Sequence, residues 1–252
     1  INKLEDKNMY TNRKFKIATA SIIAVAATVI GHNAFAHTVM ETPTITEGVR
    51  VSNNVVVGHG CGERNVIGTS VVFPDGEDST ITVDGQPHTG VLVDFVQNWG
   101  NLNQKVYSKA VFTFQGEKVD ANGNVSGFWA GGGDSLPHDM TGFIPFRTSA
   151  AIIEPESCAA SVKFHVSIVD ICAITPISGF SDETINRWTL SGLGTPYDRV
   201  GEDGAASLTI TRTSALPDSC GGVGQVVEVK PSAAQINRDM PIILDGNQVW
   251  PQ

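Results

Sequence analysis

The chain has 252 residues and a net charge of −9, with 41% hydrophobic and 17% charged residues, 26 of them Gly and 12 Pro. That apolar content excludes general disorder, and Gly without a three-residue period excludes a collagen-like rod. An acidic balance with no long Lys/Arg run argues against a nucleic-acid partner or an anionic membrane surface, and the length suits one or two domains with a sizeable core.

The first 36 residues are expected to stand apart. Ile1–Asn8 precede Met9 and read as translated upstream sequence. From Met9 come Arg13, Lys14 and Lys16, an apolar stretch from Ile17 to Ile30, and then Ala34-Phe35-Ala36. A basic segment, a short apolar segment and an A-x-A site form the pattern of a secretory signal peptide, removed after Ala36. The apolar run is shorter than the roughly 20 residues a spanning helix needs. Removal takes away five basic and two acidic residues, leaving 12 and 24 over 216 positions, a net of −12.

Beyond Ala36, helical periodicity is almost absent. Runs rich in Val, Ile, Thr and Phe alternate with Gly/Pro/Asn/Asp clusters. These predict strands at Val49–Val57, Val66–Phe73, Ser79–Val83, Gly90–Val96, Val106–Phe114, Thr141–Thr148, Ser161–Val169, Ala206–Thr213 and Gln225–Val229. Within Ser161–Val169, Val162, Phe164, Val166 and Ile168 share one face. Between strands, Asp120-Ala-Asn-Gly-Asn124 mimics the start of a calcium loop. Its twelfth position is Gly131 rather than Glu, so a hairpin turn is expected instead. Short strands in this number predict a β-sandwich or barrel. Residues 37–172 form its main part, and 173–252 read as a loop-rich β extension of the same domain.

Four cysteines, Cys61, Cys158, Cys172 and Cys220, follow the cleavage site. An even count in an exported chain predicts two disulfides, and spacing alone leaves three pairings open. Cleavage after Ala36 exposes His37 as the first residue. Its α-amine, with a pKa near ~8, and its Nδ1 can together chelate Cu(II), the strongest binder of the divalent series.

His37-Thr-Val-Met, then Gly58-His59-Gly60-Cys61-Gly62, then Val71-Val-Phe-Pro74-Asp-Gly76 resemble the landmarks of the YcnI-like (DUF1775) family. Two later stretches, Trp129-Ala-Gly-Gly-Gly-Asp-Ser-Leu-Pro137-His138-Asp139 and Phe164-His-Val-Ser-Ile-Val-Asp-Ile-Cys172, are also similar to that family. The resemblance covers roughly residues 37–172. It implies an immunoglobulin-like β-sandwich, exported and associated with copper. Copper would sit in a one-histidine brace of N-terminal amine and imidazole, a carboxylate and a nearby Trp. His37 and Trp129 take the first and last of these roles, Trp129 shielding the metal rather than ligating it. The matching cysteines imply Cys61–Cys172, which leaves Cys158–Cys220. Between Gly76 and Trp129 the family pattern dissolves, where the carboxylate is expected. Asp75, Glu77, Asp84 and Asp94 are the candidates, with Asp84 favoured.

Other histidines are weighed on their surroundings. His138-Asp-Met140 places imidazole and thioether together, a pair suited to Cu(I). His59 is expected to serve a structural hydrogen bond, His165 to face outward as a surface imidazole, and His88 is a minor candidate. None of the motifs G-x-S-x-G, H-E-x-x-H or G-x-x-x-x-G-K occurs, so turnover is not expected. The expected function is copper trafficking, storage or buffering in the bacterial periplasm or at the cell surface. Its partners would be the copper ion and another exported copper protein or transporter. Two other readings compete: a metal-free surface or adhesion sandwich, and an oxidative copper enzyme resembling the polysaccharide monooxygenases. The latter would need a second His to complete the brace.

Overall fold

A computed structural model describes residues 37–252; the signal peptide expected within 1–36 lies outside the described residues. Ala36–Gln252 form one compact unit. In chain order the strands are β1 (Val39–Met40), β2 (Thr44–Thr46), β3 (Val51–Val57), β4 (Val66–Val72), β5 (Ser79–Val83), β6 (Gln86–His88), β7 (Val96–Gln97), β8 (Asn103–Lys105) and β9 (Phe114–Val119). They continue with β10 (Val125–Leu136), β11 (Gly142–Thr148), β12 (Ile152–Ile153), β13 (Ala159–Ile171), β14 (Ile185–Trp188), β15 (Ala206–Thr211), β16 (Gln225–Pro231), β17 (Ile242–Leu244) and β18 (Asn247–Trp250). One short helix, α1 (Ala233–Asp239), precedes the last two.

The fold is all-β. A four-stranded sheet, β1-β3-β11-β8, faces a ten-stranded one whose main path is β6-β5-β16-β13-β4-β10-β9. Alternation decides what lies between them. Val55 and Val57 of β3 and Ile144 and Phe146 of β11 turn inward, toward Val162, Phe164, Val166 and Ile168 of β13. Phe128 and Phe146 meet across the gap with ring centroids 5.4 Å apart. Burial of this apolar face is the main stabilising term.

The longest strand, β13, organises the larger sheet. Its first half pairs with β15 antiparallel and β16 parallel, and its second half pairs with β4 and β14. Residues 173–252 therefore supply strands to the sheet begun by the earlier part of the chain. They also cover that sheet's outer face, where Val72, Trp129, Val169 and Ile171 pack against Ile236, Met240, Ile242 and Trp250.

Both disulfides have the pairing that the resemblance implied, Cys61–Cys172 and Cys158–Cys220. Two expected strands are corrected. Val91 and Val93 are exposed and Leu92–Asp94 forms a 3-10 turn, so that of Gly90–Val96 only Val96, the first residue of β7, is in a strand. Of Val106–Phe114 only Phe114 is in a strand, as the start of β9; the rest is a loop between β8 and β9, its Ser108 bound to the Gln115 amide at both N–H and carbonyl. Conversely, the Gly-rich β10 was not expected as a strand. Asp120–Asn124 is the turn joining β9 to β10, and Asp120 Oδ1 accepts from the backbone N–H groups of Asn122 and Asn124.

Candidate functional site

His37, Cys61 and the C-terminal half of β13 meet at one end of the sandwich. β1 pairs with β3 in the register Val39↔Val56, which brings the segment before it, His37-Thr38, over the end of the core. Period-two alternation continues the inward face of β13 past Ile168 to Asp170, and Cys172 follows. Asp170 is completely buried. It accepts hydrogen bonds from Thr38 Oγ1 (2.5 Å), Thr69 Oγ1 (3.0 Å) and Trp188 Nε1 (2.7 Å). Burial pushes its carboxyl up, while bonds from Thr38, Trp188 and Thr69 pull against that rise.

Trp188, anchored in this way, is the surface on which two histidines rest. The His37 ring lies 4.7 Å from the indole centroid in a tilted contact, and the His59 ring meets it edge-on at 5.9 Å. His59 Nδ1 contacts the Gly60 carbonyl oxygen. That contact requires the N–H at Nδ1 in the neutral ring and leaves the Nε2 lone pair for another partner. Gly60 is buried, and only Gly fits there: a Cβ would sit 1.9 Å from the Arg64 carbonyl oxygen. The Cys61–Cys172 bridge and the Asn186 Nδ2 bond to Gly60 O (3.0 Å) fix the same loop. On the ring of Trp188 also lies the Arg199 guanidinium, 5.0 Å from its centroid. Burial, then the charges of Arg199 and His59, hold the His37 imidazole below its usual range. A neutral ring keeps a lone pair available to a metal.

The sequence-predicted residues divide sharply. His37 is in this cluster. Trp129 is not: it pairs with Ser70 in β10–β4 and packs on the outer face, beneath the β17–β18 hairpin. There it lines an apolar cavity of about 200 Å³ with Phe114, Ile171 and Trp250. The tryptophan beside His37 is Trp188. Asp84 is also misplaced. It sits in the β5–β6 turn with φ of 48° and accepts from Val226 N–H at 2.9 Å, beside the Ser161 end of β13. Nine residues of strand separate Ser161 from Asp170, on the order of 30 Å.

The other carboxylate candidates are engaged elsewhere. Asp75 binds Arg238 at 2.5 Å, Asp94 lies 3.2 Å from His88, and Glu77 meets Asn122. The His138 carbonyl accepts from Gly60 N–H, yet its ring faces Glu63 at 3.6 Å, and Met140 is exposed. His165 is outward on its strand but mostly covered, its side chain 12% exposed beside Glu228; burial holds it below its ordinary value.

Sequence reasoning missed Asp170, Trp188 and Arg199. For Asp170 a signal existed: it continues the apolar series Val162, Phe164, Val166 and Ile168 at two-residue spacing, and a carboxylate on that face must be buried and bonded. Trp188 and Arg199 carry no comparable local signal. Among the described residues, no cluster of three or more His, Cys, Asp or Glu side chains is arranged to hold a metal ion. His37 and His59 offer two imidazoles on the one indole.

No family model matches the chain, and no curated protein matches it. Among solved structures, it is similar to an uncharacterized protein from Nocardia farcinica, described as having an immunoglobulin-like fold. That match has 13% identity and a TM-score of 0.35 over 71% of this chain and 99% of the other. Two disulfides fit an oxidising, extracytoplasmic setting. Among the described residues, no helix is long and apolar enough to cross a membrane.

Proposed function

We propose that this is an exported copper-binding protein that traffics, stores or buffers copper in the bacterial periplasm or at the cell surface. The observation that carries the reading is the packing of His37 and His59 on one indole, itself held by a buried carboxylate. With cleavage after Ala36, the His37 amine and imidazole join His59 as three nitrogen donors, a set suited to Cu(II). His59, its Nδ1 committed to Gly60, presents Nε2. Trp188 walls the site and limits water, and Asp170 orients Trp188 through Nε1. Arg199 opposes a cation here and tempers affinity, which suits a carrier that must release its cargo.

The test is a Cu(II) titration of protein beginning at His37, beside a version with one residue added before it and a His59→Ala variant. Stoichiometric binding that weakens at least ~10-fold in each variant supports the reading. Equal binding by all three overturns it and favours a metal-free adhesive sandwich. The second histidine also favours a further reading, an oxidative mononuclear copper enzyme. Dioxygen-dependent oxidation of a polysaccharide by the copper-loaded protein separates enzyme from carrier.

A further inference from the structure

A polar cavity of about 230 Å³ opens beside β14, lined by Asp182, Asn186, Arg187, Trp188 and Arg199 among others. Among the described strands β14 pairs only with β13, so its other edge is open. Arg187 alternates with Trp188 and leaves the strand on the opposite face. Arg199 returns across the indole, 5.0 Å from its centroid, and donates from Nη1 to the Arg187 carbonyl at 3.0 Å. Gly204 admits this course, because a Cβ there would sit 2.5 Å from Arg199 Cδ.

The two guanidiniums sit in an acidic chain. Residues 37–252 carry twice as many acidic as basic side chains, 24 against 12. Two other arginines find carboxylates, Arg238 binding Asp75, Asp78 and Asp239 and Arg64 lying 4.0 Å from Glu183, whereas Arg147 and Arg212 donate to the Gln104 side chain and to backbone carbonyls. Among the described residues, neither Arg187 nor Arg199 has a carboxylate within 4.0 Å. Arg187 Nε is, in addition, buried with no hydrogen-bond partner. A buried donor without an acceptor is costly, and it marks Arg187 as a side chain the fold itself does not fully satisfy.

We propose that this cavity binds a small monocarboxylate, its oxygens taken by the forks of Arg187 and Arg199. A planar carboxylate matches the guanidinium fork. Asp182, exposed at the rim, reduces the pair's two positive charges to a net of one, which suits a monoanion better than a phosphate dianion. The proposal stands without the copper reading, because it uses neither histidine.

The experiment is titration of the metal-free, ¹⁵N-labelled protein with propionate, following the Trp188 indole and Arg187 Nε–H resonances. Saturable shifts in the millimolar range are expected, with propionamide silent and phosphate weaker. Arg187→Gln and Arg199→Gln should each weaken binding about 10-fold, and Arg199→Lys partly, while Arg50→Gln leaves it unchanged. Non-saturable shifts, equal binding of propionamide, tighter binding of phosphate, or full affinity in folded Arg187→Gln would each overturn the proposal. Should Arg199→Gln unfold through loss of its Trp188 contact, Arg187→Gln and the amide control still decide it.

Discussion

The two ends of the sandwich are built from the same parts and serve different ends. Each has a disulfide and a buried acidic residue, Cys61–Cys172 with Asp170 at one, Cys158–Cys220 with Glu47 at the other. The difference lies in the donors. Glu47 accepts from the backbone N–H groups of Thr213 (2.7 Å), Ser214 (2.8 Å) and Ile153 (3.0 Å). Burial acts to raise its carboxyl, but these bonds outweigh that and hold it at about 2. Among the described residues, Asp170 accepts only from side chains, two hydroxyls and an indole, and stays above its ordinary value. Backbone donors make Glu47 a clasp for three segments of chain. Side-chain donors make Asp170 a holder of one tryptophan, and that tryptophan carries two histidines.

Breaking the disulfides gives the largest expected effects. Replacing Cys61 and Cys172 by Ser opens a loop of 111 residues and should cost about 5 kcal/mol; replacing Cys158 and Cys220 opens 62 and should cost about 4 kcal/mol. Urea denaturation reads both. On the proposed copper reading, only the first should also weaken Cu(II) binding, because Cys61 anchors the His59 loop. An equal loss of binding from either pair would erase the functional distinction between the ends.

Next in size is Asp170→Ala, which strands the donors of Thr38, Thr69 and Trp188 and should destabilise by about 3 kcal/mol. Near-ultraviolet circular dichroism should lose the signal of an ordered Trp188. An unchanged indole signal would mean that Trp188 is held by packing alone.

The smallest effect is in the acid limb, where the ends should have opposite signs. The folded-state pKa of Glu47 is depressed, so its contribution is complete above about 4.5 and fades as pH falls toward about 2. The Asp170 value is raised, so its contribution is present below 3.8 and fades as pH rises through the folded value. Subtracting the stability profile of Glu47→Gln from that of the parent should give a difference that shrinks on acidification. For Asp170→Asn the difference should shrink as pH rises. Parallel profiles would show that the two carboxylates are equivalent after all.

Much of the fold was legible because alternation is a local property. Ser79–Val83 has the expected bounds, and Val66–Phe73, Ala206–Thr213 and Thr141–Thr148 lie within two residues of the strands observed. Val106–Phe114 failed because β-branched residues mark a strand only when a neighbour accepts their backbone bonds, and here Ser108 bonds to Gln115 instead. β10 was hidden by its glycines, of which Gly127 is required by the close approach of Val71 O.

The sequence alone determined the β class, and the resemblance supplied the cysteine pairing. His37 also emerged from sequence, as the residue a cut after Ala36 exposes. Only the tertiary structure decided what His37 meets. The resemblance pointed to Trp129, and nothing in the sequence pointed to Trp188. The pleat of β10 sends Trp129 to the outer face beneath the β17–β18 hairpin, whereas the register Ile168↔Trp188 sets Trp188 inward beside Asp170. Which face a side chain occupies follows from period-two geometry, but which strands lie side by side depends on long-range pairing, and that pairing brings Thr38, His59, Asp170 and Trp188 together from four separate parts of the chain.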